Sequence, residues 1–226
     1  MKRTYSNNQL HGLPSAYQEL LWIKSTGAAA FKLSFPLKNN NPGFIIRCFI
    51  PSTTSCTSNF YLFGVYASSG YTDWGFIRYP DSSSGAIYFR KACTNNSNSY
   101  ALNFPYTQTA KSFIQQARVS TASNVSTITG FDGTTATSST DRNRYDLGQY
   151  VGVGNRWNGT SSAFFTTTLT EGFYLQYLAL YKGTTLAYEL IPCRRKSDNK
   201  IGMYDKVNSV FHASETGTEF TAGNPA

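Results

Sequence analysis

Catalysis by this chain would have to come from its acids, histidines or cysteines, and their spacing is the first thing to weigh. There are twelve Asp and Glu residues, two His and four Cys. A retaining glycosidase needs two carboxyl groups about 5 Å apart. Acids at alternate positions of one strand would supply them, yet the sequence has no Glu-x-Asp-x-Glu run. The closest groupings, Asp141 with Asp146 and Glu215 with Glu219, fall in loop-like stretches. A Ser or Cys nucleophile requires a histidine base, and the two histidines are His11, in a polar N-terminal stretch, and His212, near the C-terminus. The reading is therefore non-enzymatic, with glycoside hydrolysis ranked below two binding functions. Cys48, Cys56, Cys93 and Cys193 contain no short-spaced pair of the type zinc sites use. The segment Asp141 to Asp146 (DRNRYD) carries oxygen ligands for calcium, but its two arginines oppose a cation. No metal and no cofactor is expected, and the four cysteines read as free, mostly buried thiols made in a reducing compartment.

Binding chemistry is better represented. Sugar rings present apolar faces to aromatic side chains and hydroxyls to Asn, Asp and Arg. Two groups at strand and loop edges have that composition: Tyr71, Asp73 and Trp74, and Asn155, Arg156, Trp157 and Asn158. These are the candidate glycan contacts. For each Trp a place in the core is favoured over a sugar platform, and Trp22, between Leu21 and Ile23, reads as core more strongly still.

The elements that must hold these residues are strands. Of 226 residues, 40% are hydrophobic and 15% aromatic, enough to bury a sizeable core in one all-β domain. Tyr, Phe, Thr and Ser favour strands, and no 3.6-residue amphipathic window stands out. Strands are expected over Ala16 to Lys24, Ala28 to Leu37, Phe44 to Ile50, Phe60 to Tyr66, Trp74 to Tyr79 and Gly85 to Arg90. Further strands follow over Phe113 to Val119, Val125 to Phe131 with a hairpin signal at Asp132 and Gly133, Tyr150 to Asn155, and Ala163 to Thr168. A loop is expected around Arg156 to Gly159. Phe173 to Tyr181 and Thr185 to Pro192 form the most apolar hairpin, turning at Lys182, Gly183 and Thr184. Residues 1–12 read as a polar arm and 13–226 as a single domain, with no internal repeat and no run long enough to span a bilayer.

Two motifs carry a family resemblance. Near the end stand Pro192, Cys193, Arg195, Lys196, Ser197 and Asp198, then Ile201, Gly202, Met203, Tyr204 and Asp205, then Val207, Asn208, Gly217, Thr218 and Phe220. Near the start stand Leu13, Pro14, Tyr17, Gln18, Glu19, Ile23, Ser25, Thr26 and Gly27. Together they resemble the signatures of a laminin-G-like, concanavalin A-like jelly-roll domain family found in gut bacteria and their phages. The likeness covers Leu13 to Gly223. It departs at Ala28, Ala29 and Ala30, where the family has polar and aromatic residues, which weakens any surface role for that strand. The resemblance implies a concanavalin A-like (laminin-G-like) jelly-roll sandwich of two antiparallel sheets whose terminal strands lie close together.

The net charge of +8 comes from Lys and Arg spread along the chain, apart from short groups such as Arg194, Arg195 and Lys196. That spacing does not suit phosphate neutralisation, so nucleic acid is not the expected partner; an acidic protein lattice or an anionic glycan surface suits it better. Residues 1–12 lack the apolar segment of a secretory signal. A particle protein assembled in the host cytoplasm needs none. The expectation is a non-enzymatic structural and adhesion protein of a bacteriophage particle, decorating head or tail. Its partners would be other virion proteins, further copies of itself, and host or mucus carbohydrate, without membrane insertion. The runner-up is a carbohydrate-binding module of a bacterial surface protein.

Overall fold

The computed structural model describes residues 11–36, 42–49, 60–67, 72–78, 87–92, 99–104, 115–122, 125–129, 135–138, 150–158, 163–164 and 172–225. Among the described residues there are nineteen strands and no helix. In chain order they are β1 (Tyr17–Glu19), β2 (Ile23–Ser25), β3 (Phe31–Ser34), β4 (Pro42–Phe49), β5 (Phe60–Ala67), β6 (Thr72–Arg78), β7 (Ile87–Ala92), β8 (Ser99–Phe104), β9 (Gln115–Ala122), β10 (Val125–Thr129), β11 (Thr135–Ser138), β12 (Tyr150–Val153), β13 (Arg156–Asn158), β14 (Ala163–Phe164), β15 (Phe173–Lys182), β16 (Thr185–Arg195), β17 (Ile201–Asp205), β18 (Val210–Ala213) and β19 (Thr221–Ala222).

They form two sheets. The larger runs β11-β10-β9-β4-β15-β16-β17-β18, with β1 on β16, β2 on β15 and β19 on β2. The smaller runs β14-β13-β5-β6-β7-β8, and β12 links β5 to β3. All these pairings are antiparallel except β13 with β5. Period-2 alternation sends Phe44 and Ile46 of β4, and Leu178 and Leu180 of β15, into a shared core. Leu33 of β3, Phe63 and Val65 of β5, and Val151 and Val153 of β12 reach the same core from the smaller sheet. Phe44 and Phe63 meet edge to face at 4.8 Å across the layers. The architecture is a β-sandwich.

The apolar hairpin organises the larger sheet. β15 and β16 pair through Lys182 and Thr185, leaving Gly183 and Thr184 as a two-residue turn with Gly183 at φ 59°, the left-handed region that glycine enters without steric cost. Beyond Leu178 and Leu190 the two strands stop pairing with each other. β2 then takes the free edge of β15 over Phe173 to Leu175, and β1 takes that of β16 over Cys193 to Arg195. The C-terminus closes on the same place, with β19 on β2 and Leu20 bridged to Pro225. The start and end of the described chain are therefore interlocked.

This arrangement explains two differences from the sequence expectation. The single strand expected over Ala16 to Lys24 is two short ones, because the chain crosses from β16 to β15 between them. The strand expected over Ala28 to Leu37 begins only at Phe31. The backbone ahead of it is held by the C-terminal loop instead: Glu215 N donates to Ala30 O at 2.7 Å, and Thr216 Oγ1 donates to Ala28 O. Ala29 and Ala30 are buried, and a Cβ on Gly154 would fall 3.2 Å from Ala30 Cα. Small residues are needed where these segments cross.

Buried polar groups fix the joints. Ser25 Oγ donates to Ala29 O at 2.7 Å and accepts from Gly27 N at 2.9 Å, closing the Ser25-Thr26-Gly27 turn. Asp205 is fully buried. Its carboxylate accepts from Val207 N at 3.0 Å, Glu189 N at 3.2 Å and Asn208 Nδ2 at 2.6 Å. Asp205→Ala would strip the acceptor from two backbone amides and one side-chain amide, and a buried donor left unpaired costs about 1–3 kcal/mol. The variant is expected to lose roughly 3 kcal/mol in a urea titration, a size reserved for broken buried networks.

Candidate binding surface

The structure sets the two sequence-predicted groups on either side of β5, with Trp74 and Trp157 both opposite Val65 and Asp73 and Asn158 both opposite Tyr66. Tyr71 lies outside the described residues. Asp73 and Trp74 fall within β6, opposite Tyr66 and Val65 of β5. The second group differs from the loop expected there, because residues Arg156–Asn158 form β13, parallel to β5. Trp157 is only 7% exposed and belongs to the core, set against Phe164 at 5.2 Å and Tyr150 at 5.9 Å, with the Lys32 ammonium 4.9 Å from its ring centroid. Asn155 is 1% exposed. Its Nδ2 donates to Gly27 O at 2.8 Å and its Oδ1 accepts from Arg156 N at 2.7 Å. Arg156 Nη1 donates to Tyr61 Oη at 2.7 Å. Asn158 is half-buried at the end of β13. Asn155 and Trp157 are thus joints of the fold. A glycan platform made of them is corrected, since a buried ring offers no face to a sugar.

The terminal motifs are structural in the same sense. Arg195 makes two hydrogen bonds to Asp198, Nε at 3.0 Å and Nη2 at 2.6 Å, bracing the turn after β16. The Arg195 guanidinium holds the Asp198 carboxyl at about 2, well below the usual carboxylate range. Lys196 Nζ donates to Ser15 O at 2.7 Å and ties that turn to the N-terminal segment.

A different surface has binding character. On the face of the larger sheet opposite the core, half-buried aromatics alternate with cations. Trp22, read from sequence as core, lies there. It meets Tyr174 edge to face at 4.7 Å, and Phe49 approaches Tyr174 at 5.4 Å. Lys24 Nζ is 5.4 Å from the Tyr174 centroid. Next along β15, Arg47 Cζ is 5.9 Å from the Tyr177 ring and His11 stacks on that ring at 6.2 Å. Burial, and then the Glu189 carboxylate, push the Tyr177 phenol above its ordinary range. On β1, β17 and β18, Tyr17 packs on Tyr204 at 4.7 Å and Phe211 at 5.5 Å, under the Arg195 guanidinium. The signal for Trp22 was present in the sequence: Ile23 and Ser25 point inward, so Trp22 and Lys24 must point outward.

Three of the described carboxylates lie beside cationic side chains or His11. Glu19 binds His11 Nδ1 at 2.6 Å, Glu189 lies 3.8 Å from Lys206 Nζ, and Glu215 lies 3.4 Å from Lys32 Nζ. Among the described residues no group of His, Cys, Asp and Glu is arranged to hold a metal ion. Cys48 and Cys193 are buried free thiols whose pKa values burial pushes up to about 12, so neither is a thiolate near neutrality. Cys56, Cys93 and the segment 141–146 lie outside the described residues. No described helix is long and apolar enough to cross a membrane.

His212 carries a pH dependence. Its ring stacks on Phe31 at 5.1 Å, and its buried Nε2 has no hydrogen-bond partner among the described residues. Desolvation by burial lowers its pKa below 6.5, outweighing the opposing pull of Asp205 and Glu215. The folded protein therefore resists the proton more than the unfolded chain does. The stability that His212 contributes is complete above the ordinary histidine pKa and is lost as pH falls through the depressed folded value. Urea midpoints at pH 7.5 and pH 5 are expected to differ less in His212→Phe than in the parent; equal differences would assign the acid sensitivity elsewhere.

No protein-family model and no curated protein sequence matches the chain.

Proposed function

We propose that this chain is a non-enzymatic structural and adhesion protein of a bacteriophage particle, a jelly-roll, lectin-like decoration of head or tail that grips host or mucus glycans. The observation that carries the adhesive part is the aromatic row on the outer face of the larger sheet, Trp22, Tyr174 and Phe49, with Lys24 beside it. Rigid aromatics on a sheet offer stacking surfaces at little entropic cost, and neighbouring cations and hydroxyls supply direction. A β-sandwich whose first and last described strands interlock suits a particle surface, because those strands brace one another. The phage assignment itself rests on the terminal motifs and the family they resemble. Tyr71, Asp73 and Trp74 are retained as proposed glycan contacts on their composition.

The same aromatic row would serve a carbohydrate-binding module of a bacterial surface protein equally well. Mass spectrometry of purified virions separates the two: peptides of this chain in intact particles support the first reading, and their absence favours the second. A glycan array tests the adhesive claim shared by both. Signal from the parent that is lost in Tyr174→Ala supports it, and a parent without signal removes it.

A further inference from the structure

We infer that the outer face of the larger sheet takes an anionic polysaccharide, its acidic groups received by Lys24 and Arg47 and its sugar rings by Tyr174 and Phe49. This deepens the glycan-binding reading above and rests on it. The argument begins with register. β2, β15 and β4 are neighbours, and Lys24 stands opposite Tyr174, which stands opposite Phe49. A cation and two rings therefore form one row across three strands, with Arg47 two residues from Phe49 on the same face, opposite Tyr177.

Charge supplies the second step. Glu19, Glu189, Asp198 and Glu215 each have a cationic partner: His11 when protonated, Lys206, Arg195 and Lys32. Among the described residues neither Lys24 nor Arg47 has a carboxylate within ion-pair distance. Each lies instead over an aromatic ring. A cation held on a ring keeps its charge and its outward hydrogen-bonding capacity, so it is positioned without being neutralised. The rings alone would accept any sugar. The two cations flanking them, neither ion-paired among the described residues, select one bearing carboxylate or sulfate, in line with the net charge of +8. Their positions on rigid strands, not on loops, fix the spacing between the acidic groups and the stacked rings.

The test is a titration of the full chain with matched polymers: polygalacturonate against its methyl ester, and chondroitin sulfate against its desulfated form. The first pair reads carboxylate recognition and the second adds sulfate. The anionic member of at least one pair is expected to bind more tightly, and that preference to fall when salt is raised from about 50 mM to about 300 mM. Lys24→Gln and Arg47→Gln are each expected to weaken anionic binding about tenfold, the worth of one charge-assisted hydrogen bond, with melting temperatures unchanged. Equal binding of charged and neutral members, or indifference to both substitutions, overturns the anionic assignment while leaving glycan binding intact. No binding to any polymer, together with a silent glycan array, brings down both. A dimer in solution that Tyr174→Ala dissociates would give this face to a second copy of the chain and also overturn the assignment.

Discussion

Trp157→Ala is expected to cost about 3–5 kcal/mol of folding stability, the range for removing a large aromatic from a packed interior. Trp157 is the point where β13, Tyr150, Phe164 and Lys32 converge. Removing it opens a cavity under β13, and Asn155, in the bend that leads into β13, holds the Ser25-Thr26-Gly27 turn through Gly27 O. The loss should therefore spread to the N-terminal turn and lower the urea midpoint steeply. Any fall in ligand binding by this variant would follow unfolding and vanish when only the folded fraction is counted. A Trp157→Ala protein with parental stability and selectively lost glycan binding would return the residue to the surface role its sequence neighbourhood suggested.

The second large effect is expected at Gly202. A Cβ built there would overlap the His212 carbonyl oxygen, and it would lie 2.9 Å from the His212 carbonyl carbon and 3.0 Å from Phe211 Cζ. The first obstacle is backbone engaged in the β17–β18 pairing, where Gly202 stands opposite Ala213, so no rotamer change relieves it. Gly202→Ala must push β18 away, at a cost of roughly 3 kcal/mol or more. β18 carries His212 to Phe31, and the segment after it bonds Ala28, Ala30 and Lys32. Its displacement should release the C-terminal clasp on β3 along with the strand. Hydrogen exchange is expected to show fast exchange from Val210 through Thr216 while the β15–β16 hairpin stays protected. Uniform protection, with an unchanged melting temperature, would contradict this.

These residues show how far the sequence could be read. The hairpin over Phe173 to Tyr181 and Thr185 to Pro192 was legible because long apolar runs around a glycine turn have few alternatives, and the strands observed there are Phe173–Lys182 and Thr185–Arg195. β4 and β5 were legible for the same reason. β8 and β11 escaped because both are short, Ser99–Phe104 lacks a clean alternation and Thr135–Ser138 is mostly polar. β13 escaped because Arg-Trp-Asn before a glycine looks like a loop, and its parallel pairing with β5 depends on a partner about ninety residues earlier that no local pattern specifies. That long-range pairing also fixes Trp157 in the core, the role its place at a strand end favoured over a sugar platform. Trp22 departs from its expected core place, since its apolar neighbours Leu21 and Ile23 masked an alternation that turns it outward. A candidate site read from composition alone therefore included the buried tryptophan and left out the half-exposed one.

The terminal motifs illustrate a further point. Arg195, Asp198, Gly202, Asp205 and Asn208 stand out as a pattern because each has a geometric duty: a bidentate brace, a close backbone approach, a buried acceptor and its donor. Such residues identify an architecture and leave its ligand open. The proposed recognition rests instead on the aromatics and cations of the outer face.

The most direct measurement of that claim is a hydrogen-exchange footprint of the parent protein with and without a saturating anionic polysaccharide. The account predicts added protection over Trp22 to Ser25, Ile45 to Phe49 and Phe173 to Tyr177, with β13 unchanged. Protection confined to β13 and its neighbours, or no change anywhere in a protein shown to bind the polymer, would contradict it.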